Sequence, residues 1–130
     1  MGYVFRTEEQ QMAVDGLRRF LDAGIVLTGG RDWGPNSVFE QIQLALTHRT
    51  PGGLSNLSEA QQIDRYQAFS MWTRNASRLL QWDAIGSLRR GAYADLIICD
   101  RDPMTCPVEE IGQTRALETM FDGRVVYASA

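Results

Sequence analysis

The chain has little of what marks several common classes of protein. It carries two cysteines, Cys99 and Cys106, in 130 residues. Two thiols are too few to staple a disulfide scaffold of this size. The opening stretch, MGYVFRTEEQQ, has no apolar h-region of a secretory leader, and Arg6 stands where a myristoylation pattern needs Ser or Thr. No apolar run approaches the ~20 residues of a membrane span. Together these absences point to a reducing, cytoplasmic setting and no membrane partner. The Asn-x-Ser triplets at Asn56 and Asn75 are then expected to stay unmodified. Basic charge is also scarce. Lys and Arg number 13 against 16 Asp and Glu, for a net charge of −3. Arg18-Arg19 and Arg89-Arg90 are isolated pairs that read as solvated surface. Nucleic-acid binding would need a clustered basic face, so no nucleic-acid partner is expected. No segment repeats.

What is present suits a folded domain. The composition is 44% hydrophobic and 22% charged, which is globular rather than disordered. A chain of this length can bury roughly two thirds of its unfolded surface.

The periodicity divides the chain in two. Residues 7–23 read as a helix opened by a Thr7-x-x-Gln10 capping box, with Ala13, Leu17, Phe20 and Gly24 at helical spacing. Gly24 sits where a left-handed C-terminal residue is wanted. Ile25 to Thr28 form a short apolar run that predicts a strand covered on both faces. A loop over 29–36 leads to Ser37-x-x-Glu40, a second capping box, and to a stripe of Val38, Ile42, Ala45 and Leu46 ending near His48. RTPGGLSN reads as a loop. Ser58-x-x-Gln61 then predicts a helix running to about Arg74, with Tyr66, Phe69 and Trp72 as core, and a short helix follows from Asn75 to Leu80. From Gly86 the pattern turns to β. Asp122-Gly123 between apolar segments is a strong hairpin signal, because both centres of a type I′ turn need positive φ.

The candidate site is the stretch IVLTGGRDWGP. Gly29 and Gly30 let the backbone turn sharply, Pro35 stiffens the exit, and Asp32 lies four residues beyond Thr28, the end of the predicted strand. An acid at the carboxyl end of a strand is where α/β barrels place catalytic side chains, and it can bind a metal or take a proton from a metal-bound water. An acid in a Gly-rich turn also commonly makes an Asx-turn or caps the next helix. On spacing alone, turn chemistry is the better reading of Asp32.

LRRFLDAGIVLTGGRDWGP resembles the last barrel strand of the metal-dependent amidohydrolase superfamily, nearest to its family 3 branch. IQLALTHRTPGG is similar to the helix and loop that follow. WTRNASRLLQWDAIGSLRRGAYADLIICDRDP resembles the branch's Thr-x-Asn-Ala and Gly-Ser-Leu-x-x-Gly-x-x-Ala-Asp-Leu block, and TMFDGRVVY its terminal hairpin. The resemblance runs from about Leu17 to Tyr127. It implies an α/β fold: the C-terminal fragment of a TIM-like (β/α)8 barrel, with its last strand and flanking helices, over residues 1–85. Part of a small β-sandwich would follow over 86–130. It also implies hydrolysis of a small-molecule amide, or another non-peptide C–N bond, by a water that a divalent metal activates. Zinc is the expected ion. Asp32 is then the metal-contacting, proton-shuttling acid, and Arg31 and Trp33 are weak candidates for substrate binding.

The sequence departs from that pattern in several ways. A complete barrel of this kind takes about 250 residues. The family's metal-binding histidines come from earlier strands, whereas His48 is the single histidine here and no His-x-His occurs. His48 reads as a surface or capping residue. Cys99 and Cys106 read as a core residue and a loop thiol rather than a zinc pair. Arg31 replaces the family's Ser, and Gly34 is an extra residue before Pro35. A cation at Arg31 favours ionised Asp32, and could also stand in for a missing metal. Asp95, tempting as a carboxylate, is expected to bond turn amides. The chain by itself is thus expected to lack metal and turnover unless the rest of a barrel is supplied. The alternatives are a non-catalytic remnant and a small interaction domain that buries its exposed barrel faces by self-association.

Overall fold

A computed structural model describes residues 16–30, 37–49 and 62–129. They form four short α-helices, a 3₁₀ helix and one three-stranded antiparallel sheet. Helix α1 spans Leu17–Asp22 and carries an exposed Arg18–Asp22 ion pair at 3.0 Å. Gly24 follows at φ 74°, as the sequence predicts. Thr7, Gln10 and Ala13 lie outside the described residues, as does the RTPGGLSN loop beyond Arg49.

Helix α2 spans Val38–Thr47 and begins as its capping box requires. Ser37 Oγ accepts from the Phe39 N–H, and Glu40 Oε2 accepts from the Ser37 N–H, each at 3.2 Å. Helix α3 spans Arg65–Trp72, and its start corrects the sequence reading. Residues 62–64 are not helical. The cap is Asp64, which accepts from the Gln67 N–H at 2.7 Å while Gln67 Oε1 accepts from the Asp64 N–H at 3.0 Å. Ser58 and Gln61, the pair first expected to cap this helix, lie outside the described residues. The Asp64-x-x-Gln67 pair carries the same signature and sits directly before the buried stripe. Helix α4, Arg74–Leu79, follows after Thr73 breaks the path.

Strand β1 spans Leu96–Cys99, β2 Ala116–Phe121 and β3 Arg124–Ala128, in that spatial order. Leu96 faces Met120 across β1 and β2, and Glu118 faces Ala128 across β2 and β3. The hairpin turn is the one predicted. Asp122 and Gly123 take φ 47° and 74°, the two positive values of a type I′ turn. The region is not wholly β, however. Val108–Gln113 form a 3₁₀ helix opened by Pro107, whose ring presets a helical φ for a first turn but cannot continue a ladder.

That 3₁₀ helix joins the two halves. Ile111 is fully buried in one cluster with Ile42, Ala45, Leu46, Ile63, Ala68 and Met71. Full burial of an isoleucine contributes about 1.5–3 kcal/mol, so Ile42 and Ile111 are the largest single terms of the join. Gln43 fixes the geometry around them. Its Nε2 donates to Glu109 O at 3.3 Å, and its Oε1 accepts from the Gly112 N–H at 2.7 Å. Arg65 adds a second clamp by donating to the carbonyls of Pro103 and Cys106.

Not every expected core position is core. Val38 is exposed at the edge of its stripe. Tyr66 is 56% exposed and lies under the Arg74 guanidinium, 4.7 Å from its ring centroid, while Phe69 and Trp72 pack on the core. Cys99 and Cys106 are half-buried free thiols. Burial, with Asp100 beside it, pushes the Cys99 thiol above its ordinary value, which makes it less reactive.

Candidate active site

The segment that leads to Asp32 is anchored rather than paired. Ile25 to Thr28 are predicted as a strand buried on both faces. Here they take no regular secondary structure and have no strand partner among the described residues, and Ile25 and Val26 are about half exposed. A strand is defined by its neighbours, and none is described beside this one. Its polar backbone finds other partners. The Leu27 carbonyl accepts from Asn75 Nδ2 at 2.9 Å, and the Gly29 N–H donates to Met71 O at 2.9 Å. Met71 lies in the last turn of α3, where helical carbonyls have no intrahelical donor. Gly29 also lies flat against the indole of Trp72, so close that an added Cβ would penetrate the ring. Glycine is required here for close approach.

Beyond Gly30 the described chain resumes at Ser37, the N-cap of α2. The described residues on either side of 31–36 are thus an anchored segment and a capped helix. Arg31, Asp32 and Trp33 themselves lie outside the described residues.

A cleft of about 360 Å³ opens where the anchored segment ends. Phe20, Thr28, Gly30, Leu44, His48 and Trp72 are among its walls. His48 corrects the expectation of a surface residue. It caps α2 in the left-handed conformation at φ 50°, as a capping role requires, but its side chain is buried. A second, larger cavity of about 680 Å³ lies over one face of the sheet, between Leu88, Leu96, Ile97, Met120, Phe121 and Val126. Its walls are apolar. Its acid, Asp95, already accepts from the Asp122 N–H at 2.8 Å, the structural role expected of it. The smaller cleft is the better candidate for chemistry, because it adjoins the glycine turn and combines a histidine with aromatic walls.

The described residues do not fit a metal. Among them no three His, Cys, Asp or Glu side chains come together as a metal site. Asp95, Cys99 and Cys106 are thus not joined to any metal-binding group. No helix among the described residues is long and apolar enough to cross a membrane.

Asn75 was missed as a site-supporting residue, yet a signal exists. Asparagine is a poor residue for a helix interior, where its amide competes with the backbone. A buried one beside a predicted helix boundary implies a specific partner. Its engagement with Leu27 also leaves the Asn75-Ala76-Ser77 triplet inaccessible in the folded chain.

The comparisons with known proteins agree with the sequence motifs. A family model described as the amidohydrolase family matches residues 4–127. The N-substituted formamide deformylase of Arthrobacter pascens is 28% identical to the chain over 128 residues. That match takes in 95% of this chain and 23% of the deformylase, so the chain spans less than a quarter of its relative's length. No solved structure matches the chain.

Proposed function

Since the chain belongs to the amidohydrolase family, in its family 3 branch, we propose that it carries the last strand, flanking helices and sandwich strands of a hydrolase of non-peptide C–N bonds. In this reading residues 1–85 are the barrel portion and 86–130 the sandwich portion. Asp32 accepts the proton of the attacking water, and Arg31 and Trp33 border the substrate. One observation carries the proposal: the segment ending at Gly30 is pinned at Leu27 and Gly29, and opens on a cleft two residues before Asp32. A proton acceptor must be held within hydrogen-bond reach of the water it serves, and a pinned approach segment meets that need. The family assigns a divalent metal the task of lowering the water's pKa. The described residues hold no cradle for one, and the step proposed for this chain is the proton transfer alone.

The substrate is a small amide. The Arthrobacter relative is an N-substituted formamide deformylase, so N-substituted formamides are the first class to try. Because the chain covers so little of that relative, the activity is proposed for an assembly that includes the remaining barrel. The test is release of formate from an N-substituted formamide by that assembly, carrying either the wild-type chain or Asp32→Asn. Loss of the acid should lower turnover about 10²- to 10⁴-fold. Equal turnover in both proteins would overturn the assignment of Asp32.

A second reading rests on the sheet. Ile97, Ile98, Phe121, Val125 and Val126 are between 47% and 63% exposed, an apolar surface that favours self-association of a non-catalytic domain. A clean monomer that binds no hydrophobic dye would remove that reading.

A further inference from the structure

The geometry points to Asn75 as the positioning residue of the segment that leads to Asp32. Its consequence for turnover rests on the proposed role of Asp32. Its consequence for structure does not.

A segment outside helix and sheet leaves its carbonyls to water or to side chains. Leu27 O is taken by a side chain 48 residues away, and that side chain is itself buried. The bond therefore ties the start of α4 to the approach segment. The Gly29 N–H on Met71 O ties the end of α3 to the same segment, two residues further on. The Trp72 ring against Gly29 closes the third side. Two residues, Leu27 and Gly29, are fixed by groups from Met71, Trp72 and Asn75, all at the α3–α4 junction. Of these, only Asn75 holds the segment through a side-chain hydrogen bond, so only it can be removed without rebuilding the backbone or the apolar wall.

Asp32 is three residues beyond Gly29. Three residues span at most about 11 Å of chain, so Leu27–Gly29 set the point from which the chain reaches the acid. A misplacement of about 1 Å at a reacting group can cost on the order of 10²-fold in rate.

The test is amide hydrogen exchange over residues 25–30, with the β2–β3 hairpin as the reference. Asn75→Ala should speed exchange in 25–30 about three- to tenfold, the worth of one hydrogen bond, with the hairpin unchanged. Asn75→Asp supplies the same shape. Ionised, it has no donor for Leu27 O, and protonated it regains one. Its exchange, corrected for the intrinsic rate, should match Asn75→Ala at neutral pH and return toward wild type in acid. Unchanged protection in Asn75→Ala would overturn the inference. So would equal loss in both segments, which would make Asn75 a general stabiliser. Where formamide turnover is measurable, Asn75→Ala should lower kcat with KM little changed. Failure of Asp32→Asn to affect turnover, with selective exchange loss in Asn75→Ala, would sink the assignment of Asp32 and leave the anchor standing.

Discussion

The Asp95 carboxylate accepts the backbone N–H of Asp122 at 2.8 Å, joining the residue before β1 to the turn between β2 and β3. The Gly123 N–H donates to Ala94 O at 3.1 Å alongside it. The two bonds close the end of the sheet where a type I′ turn would otherwise project into water. Asp95→Ala removes one of them at a solvated site. The expected loss is about 1 kcal/mol, measured as a lower urea midpoint with an unchanged m-value. Asp95→Asn keeps an acceptor and should lose less.

A second carboxylate gives a pH signature. Asp100 Oδ1 accepts from the Arg115 N–H at 3.0 Å and lies 3.3 Å from Arg101 Nε. The Arg115 amide first, and the Arg101 guanidinium second, hold its carboxyl below the ordinary carboxylate value. A group whose pKa is depressed by folding stabilises the fold above its unfolded pKa. That contribution fades as pH falls through the folded value. The stability gap between wild type and Asp100→Asn should therefore be constant above about pH 5 and shrink below about pH 4. A gap that grows in acid would contradict the assignment.

Gly29 and Trp72 should behave as a coupled pair. Gly29→Ala drives a methyl into the indole and should destabilise by about 1–3 kcal/mol, the usual range for overpacking. Trp72→Leu also destabilises, by loss of packing. In the double variant the two losses should sum to less than their total, because the smaller side chain leaves room for the methyl. Strict additivity in denaturant unfolding would show that the contact is not what constrains Gly29.

Thr114 is the opposite case. Its hydroxyl is buried without a hydrogen-bond partner among the described residues. Leaving such a group unsatisfied costs about 1–3 kcal/mol, and replacing it with a methyl removes that cost. Thr114→Val should raise the unfolding midpoint, and a fall would show that the hydroxyl is engaged.

Local signals were legible where the physics is local. The Ser37–Glu40 box and the Asp122-Gly123 turn need only neighbours in sequence, and both are present as predicted. The Asp64–Gln67 box is equally local, but it was outbid by a similar pair six residues earlier. The family was legible too, because its motifs cover almost the whole chain. Three findings had no such local signal. Ile25 to Thr28 have strand composition, yet without described neighbours Leu27 is held by Asn75 and the following Gly29 by Met71 instead. Ile111 sits between two glutamate and glycine neighbours in a stretch with no clear period, yet it is completely buried against α2. His48 carries no pattern that tells surface from interior, and it is buried in the cleft wall.

The sequence by itself determined the caps, the hairpin and the family, since each depends on residue types at fixed short spacing. Tertiary structure alone decided what holds the approach to Asp32. The reason is that a hydrogen bond between Leu27 and Asn75 requires a helix and a segment 48 residues away to meet in space, and neither residue's identity nor its spacing specifies that meeting.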